Sequence, residues 1–410
     1  MLFSLSKINR HPKGLAVLFF TELWERFSYY GMRAILVLYL ISDFNDKNQG
    51  LGWSNKEAIM LYGWYTALVY IACIPGGIIG DRYITRINSV IYGGFLLCAG
   101  HFTLAFQNEL FFFTGLILII LGVGLLKPNI STLVGHLYKV NDLRRDQGFT
   151  IFYIGINVGA FLASIIVGYV GEVFGWHYGF SLAGFGMLLG QISFLIGKKN
   201  ITEVSKKNSP KNTFSFKMKK QLSSIELDRV KLILISSLIL VIFWASFEQA
   251  GGLLNIFAYE KTNRDLSFLN SEIPASWFQS INPLLIIVLG YSVSVFWMYL
   301  KKRGMLATSI FKISIGIIIM GLGFIFMIFA SIESEIYGKS SMYWLFLAYL
   351  FFTIGELCAS PVILSYITKL SPEKLTASIM GIYFATIGLG NKLAGSIGQY
   401  SQALGEKLIF

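Results

Sequence analysis

The chain has 410 residues, 55% hydrophobic and only 14% charged, with a mean hydropathy of +0.63. Soluble domains carry about 25% charged residues, and the short alternating segments of a membrane β-barrel are missing, so the composition excludes both and indicates an all-α polytopic membrane protein. The net charge of +12 lies largely in short segments between apolar runs, where membrane topology accounts for it; no basic–aromatic module stands out, and no nucleic-acid partner is expected.

Apolar stretches of about 20 residues, the length a span needs, recur from end to end. The first lacks a small-residue cleavage site after a short core, so it is expected to remain as a span. In chain order the predicted spans are 14–41, 56–79, 87–107, 110–138, 148–172, 177–197, 231–258, 276–300, 306–331, 341–369 and 375–400.

Basic residues sort these spans. Lys7, Arg10 and Lys13 precede the first, and Arg82 and Arg86 separate the second from the third. Lys139, Arg144 and Arg145 follow the fourth. Lys301, Lys302 and Arg303 follow the eighth, and Lys369 and Lys374 flank the loop after the tenth. All fall on one side, and the opposite loops carry few or balanced charges. The positive-inside rule therefore predicts a multi-pass protein of the plasma or inner membrane with a cytoplasmic N-terminus.

The longest polar stretch, 198–230, is rich in Lys, Ser and Asn. It reads as a cytoplasmic linker between a six-helix bundle (1–197) and a second bundle (231–410). The second bundle then holds five predicted spans. Two six-span halves are the expectation for a transporter built from repeats, so a chain lacking a twelfth span is expected.

Charged groups within spans are costly, at least about 2.5–3.5 kcal/mol each at mid-bilayer, and mark sites. The first span carries Glu22, Glu25, Arg26, Tyr29, Tyr30 and Arg33. Their spacing places them on one face, an arc of roughly 140°. A Glu22–Arg26 bridge at i,i+4 would explain two charges but not Glu25 or Arg33, so the stripe is expected to line a wet cavity. In the fourth span Lys127 stands beside Pro128, too far from either end for easy snorkelling, with Gly122 and Gly124 permitting close helix approach. Glu248 and Gln249 lie in the seventh span, and Glu356 in the tenth, with Ser360 a turn beyond.

Cations thus belong to the first half (Arg26, Arg33, Lys127), and carboxylates of the second half (Glu248, Glu356) face them. A cavity between the halves would be dipolar and suited to a zwitterion. Carboxylates whose protonation responds to burial and pairing can also carry protons. The cysteines (Cys73, Cys98, Cys358) lie far apart without metal-ligand spacing, and the four histidines form no cluster. No metal and no cofactor is expected beyond protons as the coupling ion.

"ELWERFSYYG" (22–31) resembles the E-x-x-E-R-F-x-Y-Y-G signature of the proton-dependent oligopeptide transporters, a branch of the major facilitator superfamily. "GGIIGDRYITR" (76–86) is similar to the superfamily's loop between spans two and three. "KPNISTLVGHLY", "RRDQGFTIFYIGINVGAF", "GWHYGFSLAG", "FWASFEQAGG", "IPASWFQSINP" and "GELCASP" look like the family's other landmarks, almost end to end.

The resemblance implies a major facilitator fold and proton-coupled symport of di- and tripeptides by alternating access, in a monomer within the lipid bilayer. It implies that Glu22, Glu25 and Arg26 form a proton-coupling cluster with Lys127 as its partner, and that Glu248 pairs with Arg33 and responds to protonation. Arg26, Arg33 and Lys127 would receive the peptide carboxylate. Glu356, helped by Asn282, would receive the amine. Tyr29, Tyr30, Tyr70 and Asn157 match pocket positions, with Trp244 and Ser360 weaker matches. Two departures stand out. The family's two extra helices between the halves have no counterpart in 198–230, and Tyr383 stands where many relatives carry Trp. A family member carrying another small anion such as nitrate, or a non-transporting peptide sensor, are the alternatives. An enzyme is not expected, since no nucleophile–base pair, H-E-x-x-H or phosphate loop occurs.

Overall fold

The computed structural model describes residues 11–44, 48–138, 144–208, 223–266, 271–304, 308–370 and 376–410. Lys7, Arg10, Lys139 and Lys374, four of the basic residues used to sort the spans, lie outside these, as does 209–222 of the polar linker.

The first half comprises α1 (Lys13–Ile41), α2 (Asn55–Ile71), α3 (Cys73–Arg82), α4 (Arg86–Leu104), α5 (Glu109–His136), α6 (Arg145–Tyr169) and α7 (Trp176–Asn208). A π-helical turn, Val170–Phe174, continues α6. The second half comprises α8 (Ser224–Glu248), α9 (Leu253–Glu260), a 3-10 turn (Ala275–Ser280) running into α10 (Ile281–Lys302), α11 (Ser309–Tyr337), α12 (Met342–Leu370) and α13 (Thr376–Gly398). Two four-residue helices, α14 (Ser401–Leu404) and α15 (Glu406–Ile409), follow.

Among the described residues nine helices are long and apolar enough to cross a bilayer. α1 is not one of them by composition, because its charged stripe interrupts the apolar run; packing makes up for this. It lies between α6 and α7, and residues 34–40 are all 3% exposed or less.

Two predicted boundaries shift. The seventh span starts at Ser224 rather than 231, because Ser223 and Glu226 form a capping box and Lys231 bridges Asp228 at 3.2 Å. α7 runs on to Asn208, so the ends of the 198–230 stretch are helical rather than linker. The seventh span is also not one helix. It breaks after Glu248 and resumes at Leu253, across Gly251 and Gly252.

The loops sort onto two ends. At one, His11 Nδ1 meets the Tyr138 hydroxyl at 2.8 Å and Gly14 packs against Leu137 and Ile201. This is the end of the basic loops. At the other, hereafter the distal end, Asn48 donates to the Gly171 carbonyl at 2.7 Å and accepts from the Trp176 amide at 3.1 Å. Thr262–Asn263 pairs in parallel with Ser340–Ser341 there, next to the ends of α9 and α11.

The halves meet along α2 against α13 and along α6 against α10 with its leading 3-10 turn. Backbones touch at Gly63 and Gly395. Asn55 donates to Glu260, and the side chains of Asn255 and Gln279 both donate to the Ala34 carbonyl. These cross-half bonds lie toward the distal end.

Candidate functional site: a charged seam between the halves

The stripe of α1 is buried more completely than a cavity wall would be. Glu22 and Arg26 are 2% exposed and Glu25 is fully buried. Arg26 holds both carboxylates. Its Nε lies 3.2 Å from Glu22 and also bonds Glu25, and its Nη2 donates to Glu25 Oε1 at 2.7 Å. The local bridge that the i,i+4 spacing suggested is therefore present, and it takes in Glu25 as well. Such a buried cluster holds together because the charges compensate one another; removing one member would leave a bare charge in a low-dielectric site. The Arg26 guanidinium also lies 5.4 Å from the Tyr29 ring centre and 5.8 Å from that of Tyr30. The second oxygen of Glu22 has no hydrogen-bond partner among the described residues.

Lys127 differs from the expectation. Among the described residues its ammonium makes no ion pair with Glu22 or Glu25. It stands 4.0 Å from the Tyr70 ring centre and 6.0 Å from that of Phe384. Glu22 and Arg26 are within electrostatic reach. Arg26 occupies both carboxylates, which leaves the lysine facing the seam with an aromatic ring as its counterpart.

Arg33 reaches the other half. Its Nη2 lies 3.1 Å from Glu248 Oε1. Its Nε donates to the Tyr62 hydroxyl at 2.6 Å, and that hydroxyl donates to Glu248 Oε1 at 2.5 Å. The helix break after Glu248 makes room for this. A Cβ on Gly251 would fall 1.9 Å from the Tyr62 oxygen and 2.6 Å from Arg33 Nη2, so only glycine fits at that position.

Glu356 lies on the second-half side of the seam, 8% exposed. Asn282, at the start of α10, donates to its Oε2 at 2.8 Å and to Thr353 Oγ1 at 3.1 Å. Among the described residues Glu356 has no cationic partner. The Trp244 Nε1 and Ser360 Oγ, both on the second half, also lack partners among the described residues. Asn157 donates to the Tyr153 carbonyl one turn back, at 2.9 Å.

The structure thus separates the candidate residues into three groups. Glu22, Glu25 and Arg26 form one cluster, with Tyr29, Tyr30, Tyr70 and Lys127 around it. Arg33 and Glu248 form a cross-half lock. Glu356 and Asn282 form an acidic end on the second half. Three tyrosines complete the arrangement. Tyr62 bridges the lock, and sequence reasoning missed it, although its position one helical turn before Thr66 on a half-buried α2 gave no chemical signal. Tyr153, also missed, lies within electrostatic reach of Tyr30 and Glu356. Tyr383 lies within reach of Tyr70 and Glu356. Both stand in the gap between the basic and acidic ends.

Chemically, the seam offers on one side a lysine without an ion pair and on the other a carboxylate without a cation, among the described residues. Aromatic walls lie between, with no side-chain lock-and-key visible in the polar groups. This suits a short molecule with an anionic and a cationic end.

The POT family profile matches residues 87–223 and 205–406 of the chain. The chain is 36% identical to the uncharacterized transporter YclF of Bacillus subtilis, over 98% of this chain and 90% of that protein. It is 34% identical to the peptide transporter YePEPT of Yersinia enterocolitica, over 96% of this chain and 88% of that protein. It is also 34% identical to a di-/tripeptide transporter of Lactococcus lactis, over 91% of this chain and 86% of that protein. Among solved structures, a peptide transporter POT in complex with alafosfalin superposes with a TM-score of 0.85 at 34% identity, covering 97% of this chain and 91% of that one. A POT family transporter in complex with 5-aminolevulinic acid superposes with a TM-score of 0.88 at 31% identity, over 97% and 92% of the two chains.

Proposed function

We propose, since the chain belongs to the POT family, that it imports di- and tripeptides together with protons across the plasma or inner membrane by alternating access of its two halves. The observation that carries this reading is the division of charge across the seam. Among the described residues Lys127 faces it from the first half without an ion pair, and Glu356, oriented by Asn282, faces it from the second half without a cation. A peptide spans that gap with its carboxylate toward Lys127, Arg26 and Arg33 and its ammonium toward Glu356. Tyr29, Tyr30, Tyr70, Asn157, Trp244 and Ser360 supply the walls and spare hydrogen bonds. Two of the relatives support the substrate class, since the Yersinia protein is a peptide transporter and the Lactococcus protein a di-/tripeptide transporter, and two solved structures hold alafosfalin and 5-aminolevulinic acid.

We propose the following order of events. With the basic end cytoplasmic, as its lysines and arginines imply, the distal end faces outside. Arg33–Tyr62–Glu248 then closes the outer side. Protonation of Glu248 removes the charge that holds Arg33, and the outer side opens. Peptide entering the seam neutralises Lys127 and Glu356 and lets the halves rock. Protonation of Glu22 or Glu25 loosens Arg26 and with it the hold on the peptide carboxylate, and the cargo leaves inside.

The test is uptake into proteoliposomes of purified protein under an imposed inward proton gradient. A labelled dipeptide accumulates against its gradient, excess nitrate does not compete, and Lys127→Ala abolishes the proton-driven component. Full accumulation by the Lys127→Ala protein would overturn the coupling role. Competition by nitrate would point to an anion carrier, and peptide binding without uptake would point to a sensor.

A further inference from the structure

We infer that Glu172 is a second outer gate residue, separate from the Arg33–Glu248 lock, which fastens the distal end of the sixth helix to the start of the tenth by capping the latter's backbone.

Glu172 lies in the π-helical turn Val170–Phe174 at the end of α6. Its side chain is 8% exposed. Both carboxylate oxygens are used across the seam. Oε2 accepts the Ala275 amide and Oε1 the Ser276 amide, each at 2.8 Å. These amides open the 3-10 turn that leads into α10 and would otherwise lack intrahelical partners. A carboxylate at that point also meets the positive end of the helix dipole. Arg264 supports it from the second half. Its Nη1 lies 3.9 Å from Glu172 and donates to the Ile273 carbonyl at 2.6 Å, and its Nη2 lies 3.2 Å from Glu272.

Four features are built around this contact. The π turn adds a residue to the helical turn, which re-aims side chains and is common at functional positions. Asn48 clamps that turn through the Gly171 carbonyl and the Trp176 amide. One helical turn back, a Cβ on Gly168 would come within 2.1 Å of Ser276 Oγ, so the absence of a side chain lets the 3-10 turn seat. Trp277 adds a bond from its Nε1 to the Ile165 carbonyl at 3.0 Å.

The two gates bind different partners. The Arg33 lock ties α1 and α2 to the break in the seventh span. The Glu172 cap ties α6 to the eighth span, on the far side of the seam. Both contacts hold the closed distal end, so the loss of either one shifts the balance toward the open state. Glu172 acts on the equilibrium between states and touches no substrate. The inference rests on alternating access and not on the peptide assignment.

The experiment is double electron–electron resonance between spin labels at Tyr178→Cys and Tyr337→Cys, exposed distal positions on the two halves. The native cysteines are buried. The parent protein gives the short distance of the closed distal end. Glu172→Ala shifts the distribution to longer distances, with the open-to-closed ratio rising about tenfold or more, as for loss of a hydrogen bond to a charged group. Glu172→Gln, which keeps one acceptor oxygen, shifts it less. Peptide-free spectra read the gate whatever the cargo, so failure here is distinct from failure of the transport assignment. Parent-like distributions in the Gln variant, or in both variants, would overturn the inference. The isosteric Gln variant decides the matter alone if the Ala variant does not fold.

Discussion

Arg33 of the first helix and Glu248 at the break of the seventh span meet at 3.1 Å, with the Tyr62 hydroxyl bonded to both. Neither charge has an alternative partner of opposite sign among the described residues. Each makes the other tolerable in a low-dielectric seam, and the pair joins the halves only while both remain charged.

That mutual dependence gives a double-mutant prediction. Arg33→Ala or Glu248→Ala alone leaves a buried charge unpaired and costs about 3–5 kcal/mol. Removing both together costs less than the sum of the single changes. Thermal unfolding of the purified proteins in detergent, followed by tryptophan fluorescence, measures the cycle. Additive losses would show that the pair contributes no coupling.

Tyr62→Phe keeps the ring and removes the hydroxyl that links the two charges. One buried bond from Arg33 and one to Glu248 are lost, about 1–3 kcal/mol in all. The variant is expected to fold and bind peptide with little change in affinity. Its proton-driven uptake is expected to fall about tenfold, since the outer lock closes less firmly. Uptake kinetics with and without a proton gradient separate these effects, and a parent-like driven rate would contradict the bridging role.

Gly251 is expected to tolerate no side chain in the closed state. A Cβ there meets the Tyr62 oxygen at 1.9 Å and Arg33 at 2.6 Å. Gly251→Ala should therefore weaken outer closure while leaving the Glu22–Glu25–Arg26 cluster intact. Reactivity of a cysteine at position 34, buried beneath the cross-half bonds of Asn255 and Gln279, reports on this. Labelling by a membrane-impermeant thiol reagent should be faster than in the parent carrying the same cysteine, and an unchanged rate would refute the steric account.

Glu356 is expected to read the amino end of the cargo. The parent should discriminate against an N-acetylated dipeptide by about 10–100-fold, the value of a hydrogen bond to a charged group of about 1.5–3 kcal/mol. Glu356→Ala should lose most of that discrimination, and Asn282→Ala, which removes only the orienting amide, should lose part of it. Competition assays with free and acetylated peptides measure the ratio. Discrimination retained in Glu356→Ala would move the amine site elsewhere.

The polar stripe of the first helix was legible because charges inside an apolar run are costly and therefore informative. The same argument found Lys127, Glu248 and Glu356, and the signature around residues 22–31 attached roles to them. It misplaced two details. Lys127 was expected to partner the carboxylates of α1, yet Arg26 has both oxygen-bearing groups, and Lys127 faces Tyr70. The start of the seventh span was placed at Lys231, where the continuous apolar run begins, yet a capping box draws the helix two turns further into polar sequence. Tyr62 and Glu172 went unnoticed for a common reason. One is a tyrosine among twenty others and the other a glutamate at a span end, and neither residue type is unusual in its place.

By itself the sequence determined what local physics can determine. Apolar length set the spans, basic loops sorted their ends, and the expense of a charge in a bilayer marked the residues worth watching. Only the tertiary structure decided who meets whom. Pairing across the seam depends on a helix break at two glycines, a π turn in the sixth helix and the seating of a 3-10 turn against Gly168. These are properties of two halves in contact. No periodicity along one helix carries them, because each is fixed by a partner that lies a hundred or more residues away in the chain.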